Sequence, residues 1–263
     1  MHVLRCLLVA ASGLALLVLL LGLAQAETRV ALVIGNESYL HVPHLKTAAN
    51  DARLLANALR EDGFAVTVAN DLDHDSLLAT VTHFAKDAAA ADWALIYFNG
   101  HSMSAEDGST YLIPVDAEIA DDRELATKAV AAEELVRVVA GAHTASVVII
   151  DACRRNPFLP GMITHVRLAL IGCRRLPELA TGNLVVMLAT IEGSSVVDGE
   201  GPNGALAVAL ARRMTQPGLE LGSMFRNVRD DVVAATAGQQ IPFTDYVLPA
   251  EDLFFRPRPA PSP

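Results

Sequence analysis

Cysteine is scarce: three in 263 residues. One of them, Cys6, precedes the first apolar run, so no disulfide framework can hold this fold together. Cys153, Cys173, His143 and His165 also lack the close spacings of a zinc site. Basic residues are few, 20 Lys and Arg against 30 Asp and Glu, for a formal charge of −10. Such a chain repels nucleic acid, whose phosphates need a clustered cationic face, and attracts cationic peptides. No Gly-x-Gly-x-x-Gly follows any strand-like run, which leaves a dinucleotide site without support. The acidic loop Asp198–Gly204 sets Pro202 where a calcium loop needs a ligand. No cofactor or metal is therefore expected, and calcium dependence has no ligand motif behind it.

What is abundant is apolar residue, 52% against 19% charged, which supplies a core and excludes disorder over most of the length. The length suits one domain. Part of the apolar excess sits in a leader. Arg5 precedes an almost wholly Leu, Ala, Val and Gly stretch, Leu7 to Leu23, and Ala24-Gln25-Ala26 is a small-x-small cleavage site. Residues 1–26 are thus expected to be a secretory signal peptide, which makes the protein exported, periplasmic or extracellular. If the leader stays uncleaved it becomes a membrane anchor. At the other end, residues 256–263 carry four prolines and are expected to be unstructured.

Between these ends, apolar bursts alternate with helical stretches. Val30–Ile34, Phe64–Val68, Trp93–Phe98, Ser146–Ile150 and Leu184–Ala189 read as strands buried on both faces. Helices are predicted over Asn50–Glu61, from a cap at Asp75 or Ser76 to about Ala90, and over Ala131–Val139. Two more follow, Ala205–Met214 and Ser223–Thr236, the last with a Ser cap. The alternation predicts an α/β fold, a three-layer sandwich whose mainly parallel sheet is covered by helices on both faces. The stretch Asn156–Asn183 has weak periodicity and reads as a long loop, a type usually kept for function.

In an open parallel sheet, ligands bind beyond the carboxyl ends of the strands. His101 follows the third such strand and Cys153 the fourth. If those strands are neighbours, about 4.8 Å apart, imidazole and thiolate can share one substrate carbonyl. Position alone is equally compatible with a buried thiol and a loop histidine.

Several segments then converge on one family. Arg29–Asn36, Tyr39, Leu45-Lys46 and Asn50-Asp51-Ala52 resemble the opening of bacterial caspase-like peptidase domains, related to metacaspases and paracaspases. Tyr97-Phe98-Asn99-Gly100-His101 resembles the catalytic-His segment, and Tyr111–Asp116 the strand and loop after it. Asp151-Ala152-Cys153-Arg154-Arg155-Asn156-Pro157-Phe158 resembles the catalytic-Cys segment. Asp198-Gly199 with Asn203, and Phe225–Val228, extend the likeness to about Phe255. The resemblance implies a caspase-like peptidase domain over residues 27–255. It makes Cys153 the nucleophile, His101 the general acid/base, and backbone N–H groups near Ser102 and Cys153 the oxyanion site. It also implies a substrate pocket of Asp51, Asn99 and Asp151 that selects peptides or proteins cut after Arg or Lys. Read without it, Asp51 also fits a helix-start carboxylate and Asp151 a strand-end tie.

Two departures qualify the resemblance. Ser102 stands where the family has Gly after the His, and Ser is costly if that backbone needs positive φ. Gly204-Ala205 stands where Ser and an aromatic are commoner. A catalytically inactive module that binds peptides or protein partners is therefore the alternative. Two expectations attach to the long loop: a Cys153–Cys173 redox switch, and self-cleavage after Arg167, Arg174 or Arg175.

Overall fold

In a computed structural model the chain is described over residues 27–105, 109–152, 154–165, 182–191, 195–196 and 201–259. It opens with β1 (Arg29–Gly35), α1 (Ala48–Glu61), β2 (Ala65–Asn70), α2 (His74–Ala89) and β3 (Trp93–Asn99). Three short strands follow, β4 (Ser102–Ser104), β5 (Thr110–Leu112) and β6 (Val130–Ala131), with a 3-10 turn (Asp122–Glu124) and α3 (Leu125–Lys128) ahead of the last. The chain continues through α4 (Glu133–Val139), β7 (Ala145–Asp151), β8 (Leu184–Leu188), α5 (Ala205–Met214), α6 (Leu221–Ala235) and β9 (Phe243–Val247).

The main sheet has the order β2-β1-β3-β7-β8-β9. Every pair is parallel except β8 with β9. The central strands β3 and β7 are buried at every residue, which is why they read as unbroken apolar runs rather than alternating ones. The chain leaves β1 toward β2 on one side and then returns past β1 to reach β3. With crossovers of one hand, that reversal sends α1 and α2 to opposite faces. Helices α1, α5 and α6 pack together on the first face, and α2 and α4 on the second. The reversal also opens a crevice at the carboxyl ends of β1 and β3. The predicted α/β sandwich is the one observed.

The sequence placed these elements within a few residues, with informative differences. The cap of α2 is Asp73, not Asp75 or Ser76: its carboxylate accepts from Ser76 N at 2.8 Å. The cap of α6 is Glu220, whose two oxygens accept from Gly222 N and Ser223 N at 2.6 and 2.7 Å. Ser223 is therefore a donor inside the helix, and Glu reaches the orphan N–H groups that a Ser cap would serve. The resemblance placed a strand at Tyr111, which is β5; its partners β4 and β6, and strand β9, were not expected. These are short or half-exposed, so none shows a long apolar run. Among the described residues, no helix is long and apolar enough to cross a membrane. The leader 1–26, Cys173 and the arginines at 167, 174 and 175 lie outside the described residues.

The amino ends of β1 and β3 are covered by the C-terminal segment. Phe255, 2% exposed, stacks on Trp93 and Phe64 with ring centroids 5.4 and 5.9 Å apart. Arg29 lies over the Trp93 ring at 4.7 Å and donates to the carbonyls of Phe254 and Phe255. Arg256, counted by the sequence as the start of the unstructured tail, bonds Asp62 at 2.7 Å and belongs to the packed body. Phe255→Ala removes a buried aromatic from this stack and is expected to cost about 3 kcal/mol. Urea unfolding followed by Trp93 fluorescence measures it, and a change below roughly 1 kcal/mol would detach this segment from the folding unit.

Candidate active site

The register sets the site. Gly35 of β1 aligns with Asn99 of β3, and Asn99 with Asp151 of β7. These three residues form one row at the carboxyl edge of the sheet. His101 follows Asn99 by two residues, and Cys153 follows Asp151 by two. Cys153 itself lies outside the described residues. The two chain segments are nevertheless tied together, because Ser102 Oγ donates to the carbonyl of Ala152 at 2.6 Å.

His101 is buried and held from three directions. Its backbone N–H donates to Tyr39 Oη at 2.7 Å, and that hydroxyl donates to the Ile113 carbonyl at 3.1 Å. The Tyr39 ring meets the imidazole edge-on, with centroids 4.6 Å apart. Nε2 lies 3.2 Å from the Pro43 carbonyl. A carbonyl only accepts, so Nε2 carries a proton and Nδ1 is the nitrogen left able to take one up. A backbone carbonyl thus orients the ring where a carboxylate often does. Burial pushes the Tyr39 pKa up, which keeps its hydroxyl a neutral donor.

Tyr39 is delivered by the loop after β1. Asp71, in the left-handed region at φ 52°, accepts from the backbone N–H groups of Glu37 and Ser38 at 2.8 Å each and from Ser38 Oγ at 2.9 Å. Against the cost of partial burial, these bonds lower its pKa. Asn36, fully buried, adds a bond from its own N–H to the Asn99 carbonyl at 2.8 Å and accepts from Leu72 N at 3.0 Å.

The three pocket residues proposed from the sequence come together at the sheet edge. Asp51 sits in the first turn of α1 with no exposed surface. Its Oδ1 accepts from Asn203 Nδ2 and Gly204 N, both at 2.9 Å, and its Oδ2 accepts from Asn99 Nδ2 at 3.0 Å. Asn99 Nδ2 also donates to Tyr97 Oη at 3.2 Å, and Tyr97 Oη donates to Asp151 Oδ2 at 3.0 Å. One hydrogen-bonded chain therefore joins Asp51, Asn99, Tyr97 and Asp151. Burial raises the Asp51 pKa, offset by bonds from Asn203, Thr47 and Gly204 and by the charge of Arg154. Burial, then the charges of Asp151 and Asp51, hold the Tyr97 pKa well above its ordinary value. Asp51 therefore joins α1 to the end of β3 and the start of α5, and Asp151 is tied to β3 through Tyr97.

Gly35 and Gly100 make the close approaches possible. A Cβ on Gly35 would lie 2.6 Å from the Ala48 carbonyl, so glycine lets α1 begin against the end of β1 and brings Asp51 to Asn99. Ser102, where the family has glycine, does not occupy the left-handed region. The expected penalty for serine at that position does not arise. Gly204 opens α5 with its N–H on Asp51, a contact that needs only a backbone donor.

Sequence reasoning did not assign Tyr97, Pro43, Asn36 or Thr47 to the site. Tyr97 points to the site from inside a buried strand, where any large apolar residue would fit the pattern. Asn203 was noticed only within the resemblance. The described residues best placed to hold a metal are Asp121, Asp122 and His165, whose ligand atoms all lie within 4.8 Å of one another. No motif shows them, because His165 is more than forty positions away in the chain. Arg123 already bonds both oxygens of Asp121, lowering its pKa strongly, and His165 Nε2 shares one of them at 3.0 Å.

Comparison with known proteins gives the family. A family model described as the caspase domain matches residues 28–254. The chain is similar to the mucosa-associated lymphoid tissue lymphoma translocation protein 1 homolog of Mus musculus, 35% identical over 92 residues. It is similar at 34% over 92 residues to the Homo sapiens protein of the same name. Either match covers 35% of this chain and 11% of the relative, so the chain spans a small part of the length of these curated relatives.

Proposed function

This chain belongs to the caspase-domain family of cysteine peptidases, and from that premise we propose that it is an exported endopeptidase cutting after Arg or Lys. The observation that carries the specificity is the buried chain from Asp51 through Asn99 and Tyr97 to Asp151. Two carboxylates, one in the first turn of α1 and one at the end of β7, favour a cationic side chain and oppose an acidic one. The net charge of −10 also draws cationic peptides to the protein.

In the reaction, the Cys153 thiol gives its proton to Nδ1 of His101 and its sulfur bonds the scissile carbonyl carbon. The tetrahedral oxyanion is met by backbone N–H groups at Ser102 and Cys153. Collapse breaks the C–N bond, and His101 hands the proton to the departing amine. Water, deprotonated by His101, then attacks the thioester and releases the acid and the thiol. The Nε2 bond to the Pro43 carbonyl holds the imidazole at one tautomer through these transfers.

Fluorogenic peptides ending in Arg, Lys or Asp test this reading. Arg and Lys peptides are expected to be cleaved, Asp peptides to be left intact, and Cys153→Ala to lose all turnover. Equal turnover of Arg and Asp peptides would overturn the specificity. Silence toward all of them, in the unmodified protein with reductant, favours the peptide-binding module. Export is checked separately by cell fractionation and by sequencing the mature N-terminus, expected at Glu27.

A further inference from the structure

Asn99 can lie in either of two amide orientations, and its neighbours decide between them. Asp51 Oδ2 is an acceptor, so the side of the amide facing it must be Nδ2. The second hydrogen of Nδ2 goes to Tyr97 Oη at 3.2 Å. Tyr97 can accept it because its own hydrogen is committed to Asp151 Oδ2 at 3.0 Å. Every donor in this chain is thus spent in one direction, outward to the two carboxylates. The amide carbonyl, Asn99 Oδ1, is left over. It is fully buried and accepts no hydrogen bond from any described residue. A buried, unsatisfied carbonyl costs free energy, and persists where a ligand donor completes it.

We propose that Tyr97 is a positioning residue for substrate specificity: its hydroxyl locks the Asn99 amide so that Oδ1, with the two carboxylates, receives a guanidinium. The inference rests on the cationic pocket proposed above and names the device that aims it. Tyr97 never touches the substrate. Without its hydroxyl, the second Nδ2 hydrogen of Asn99 has no acceptor and Asp151 loses a donor. The amide is then held only through its bond to Asp51 and can swing about it, so the alignment of three acceptors is loosened before substrate arrives. The loss falls on binding of the cation rather than on the thiol chemistry at Cys153 and His101.

The test uses agmatine, a small guanidinium compound, titrated calorimetrically into Cys153→Ala protein with and without Tyr97→Phe. The added substitution is expected to weaken agmatine binding about ten-fold, the scale of one buried bond to a charged group. In the active protein, Tyr97→Phe should raise KM for an Arg peptide by a similar factor while kcat changes less than roughly two-fold. Asn99→Leu, which also removes Oδ1, should weaken agmatine at least as much and serves if Tyr97→Phe fails to fold. Unchanged agmatine affinity in the folded Tyr97 variant, or a fall in kcat with KM constant, would overturn the inference. If agmatine does not bind the Cys153→Ala protein at all, the cationic pocket and the inference fall together. If agmatine binds and Tyr97→Phe weakens it, yet the unmodified protein cleaves nothing, peptidase activity is wrong and the inference stands.

Discussion

Asp51→Lys is expected to abolish cleavage after Arg, and Asp51→Ala to remove most of it while also loosening the fold. Asp51 touches three elements at once. It sits on α1, accepts from Asn99 at the end of β3, and accepts from Asn203 and Gly204 at the start of α5. Truncation to Ala leaves these donors facing a void with no acceptor, for a loss of about 3 kcal/mol. A lysine adds a second penalty, since its charge has Arg154 nearby and would meet the substrate cation head on. Activity toward Arg peptides and urea unfolding should therefore fall together in Asp51→Ala. Cleavage within about ten-fold of the unmodified protein would mean that Asp51 only braces the loop before α5.

The same residue predicts an acid limb. Burial raises the Asp51 pKa, and the ionised form is the one that attracts a substrate cation. As pH falls through this raised pKa, KM for Arg peptides should climb at a higher pH than an ordinary carboxylate would give. The stability term has the opposite sign. A carboxyl whose folded pKa is raised favours the folded state most below its unfolded pKa and loses that contribution as pH rises through the folded one. A KM for Arg peptides that stays flat as the pH is lowered to the ordinary carboxylate range would show that Asp51 is not the charge that binds the cation.

Gly100→Ala is expected to lower kcat/KM by about a hundred-fold, from displacement of the His101 segment. The reason is space and not conformation, because Gly100 is not among the positive-φ glycines. A Cβ at this position would lie 2.6 Å from Tyr39 Oη and 2.7 Å from Phe98 Cζ. Phe98 is locked in the core, so the Tyr39 hydroxyl must yield, and with it the bond that fixes His101 N at 2.7 Å. Overpacking of this kind costs roughly 1–3 kcal/mol in stability as well. Activity within roughly three-fold of the unmodified protein would show that the Tyr39 contact does not position His101.

The buried strands could be read from the chain because a strand covered on both faces must be apolar at every position. Val30–Ile34, Trp93–Phe98 and Ser146–Ile150 meet that demand without any knowledge of their neighbours. The candidate pocket residues Asp51, Asn99 and Asp151 were reached through resemblance, Asn99 and Asp151 also through their place at strand ends, and the structure brings all three to one edge. Tyr97 escaped notice because its ring satisfies the core pattern, and only the hydroxyl at its far end enters the site. The caps were misplaced for a smaller reason: Asp73 and Glu220 each start the helix two or three residues earlier than the residues favoured by local pattern, and Ser76 and Ser223 donate to them from inside the first turn.

The amino-acid sequence by itself determined the class of fold and the order of its parts, since apolar period and helix stops are local properties of the chain. It also set the net charge of −10. What only the tertiary structure decided is which polar groups meet. Register between β1, β3 and β7 places Gly35, Asn99 and Asp151 in one row, and the packing of α1 against α5 brings Asn203 to Asp51 across 152 positions of chain. The direction of each hydrogen bond in that chain, and hence the buried, unsatisfied carbonyl of Asn99, follows from those meetings, because a donor's orientation is set by the acceptors around it and not by its neighbours in sequence.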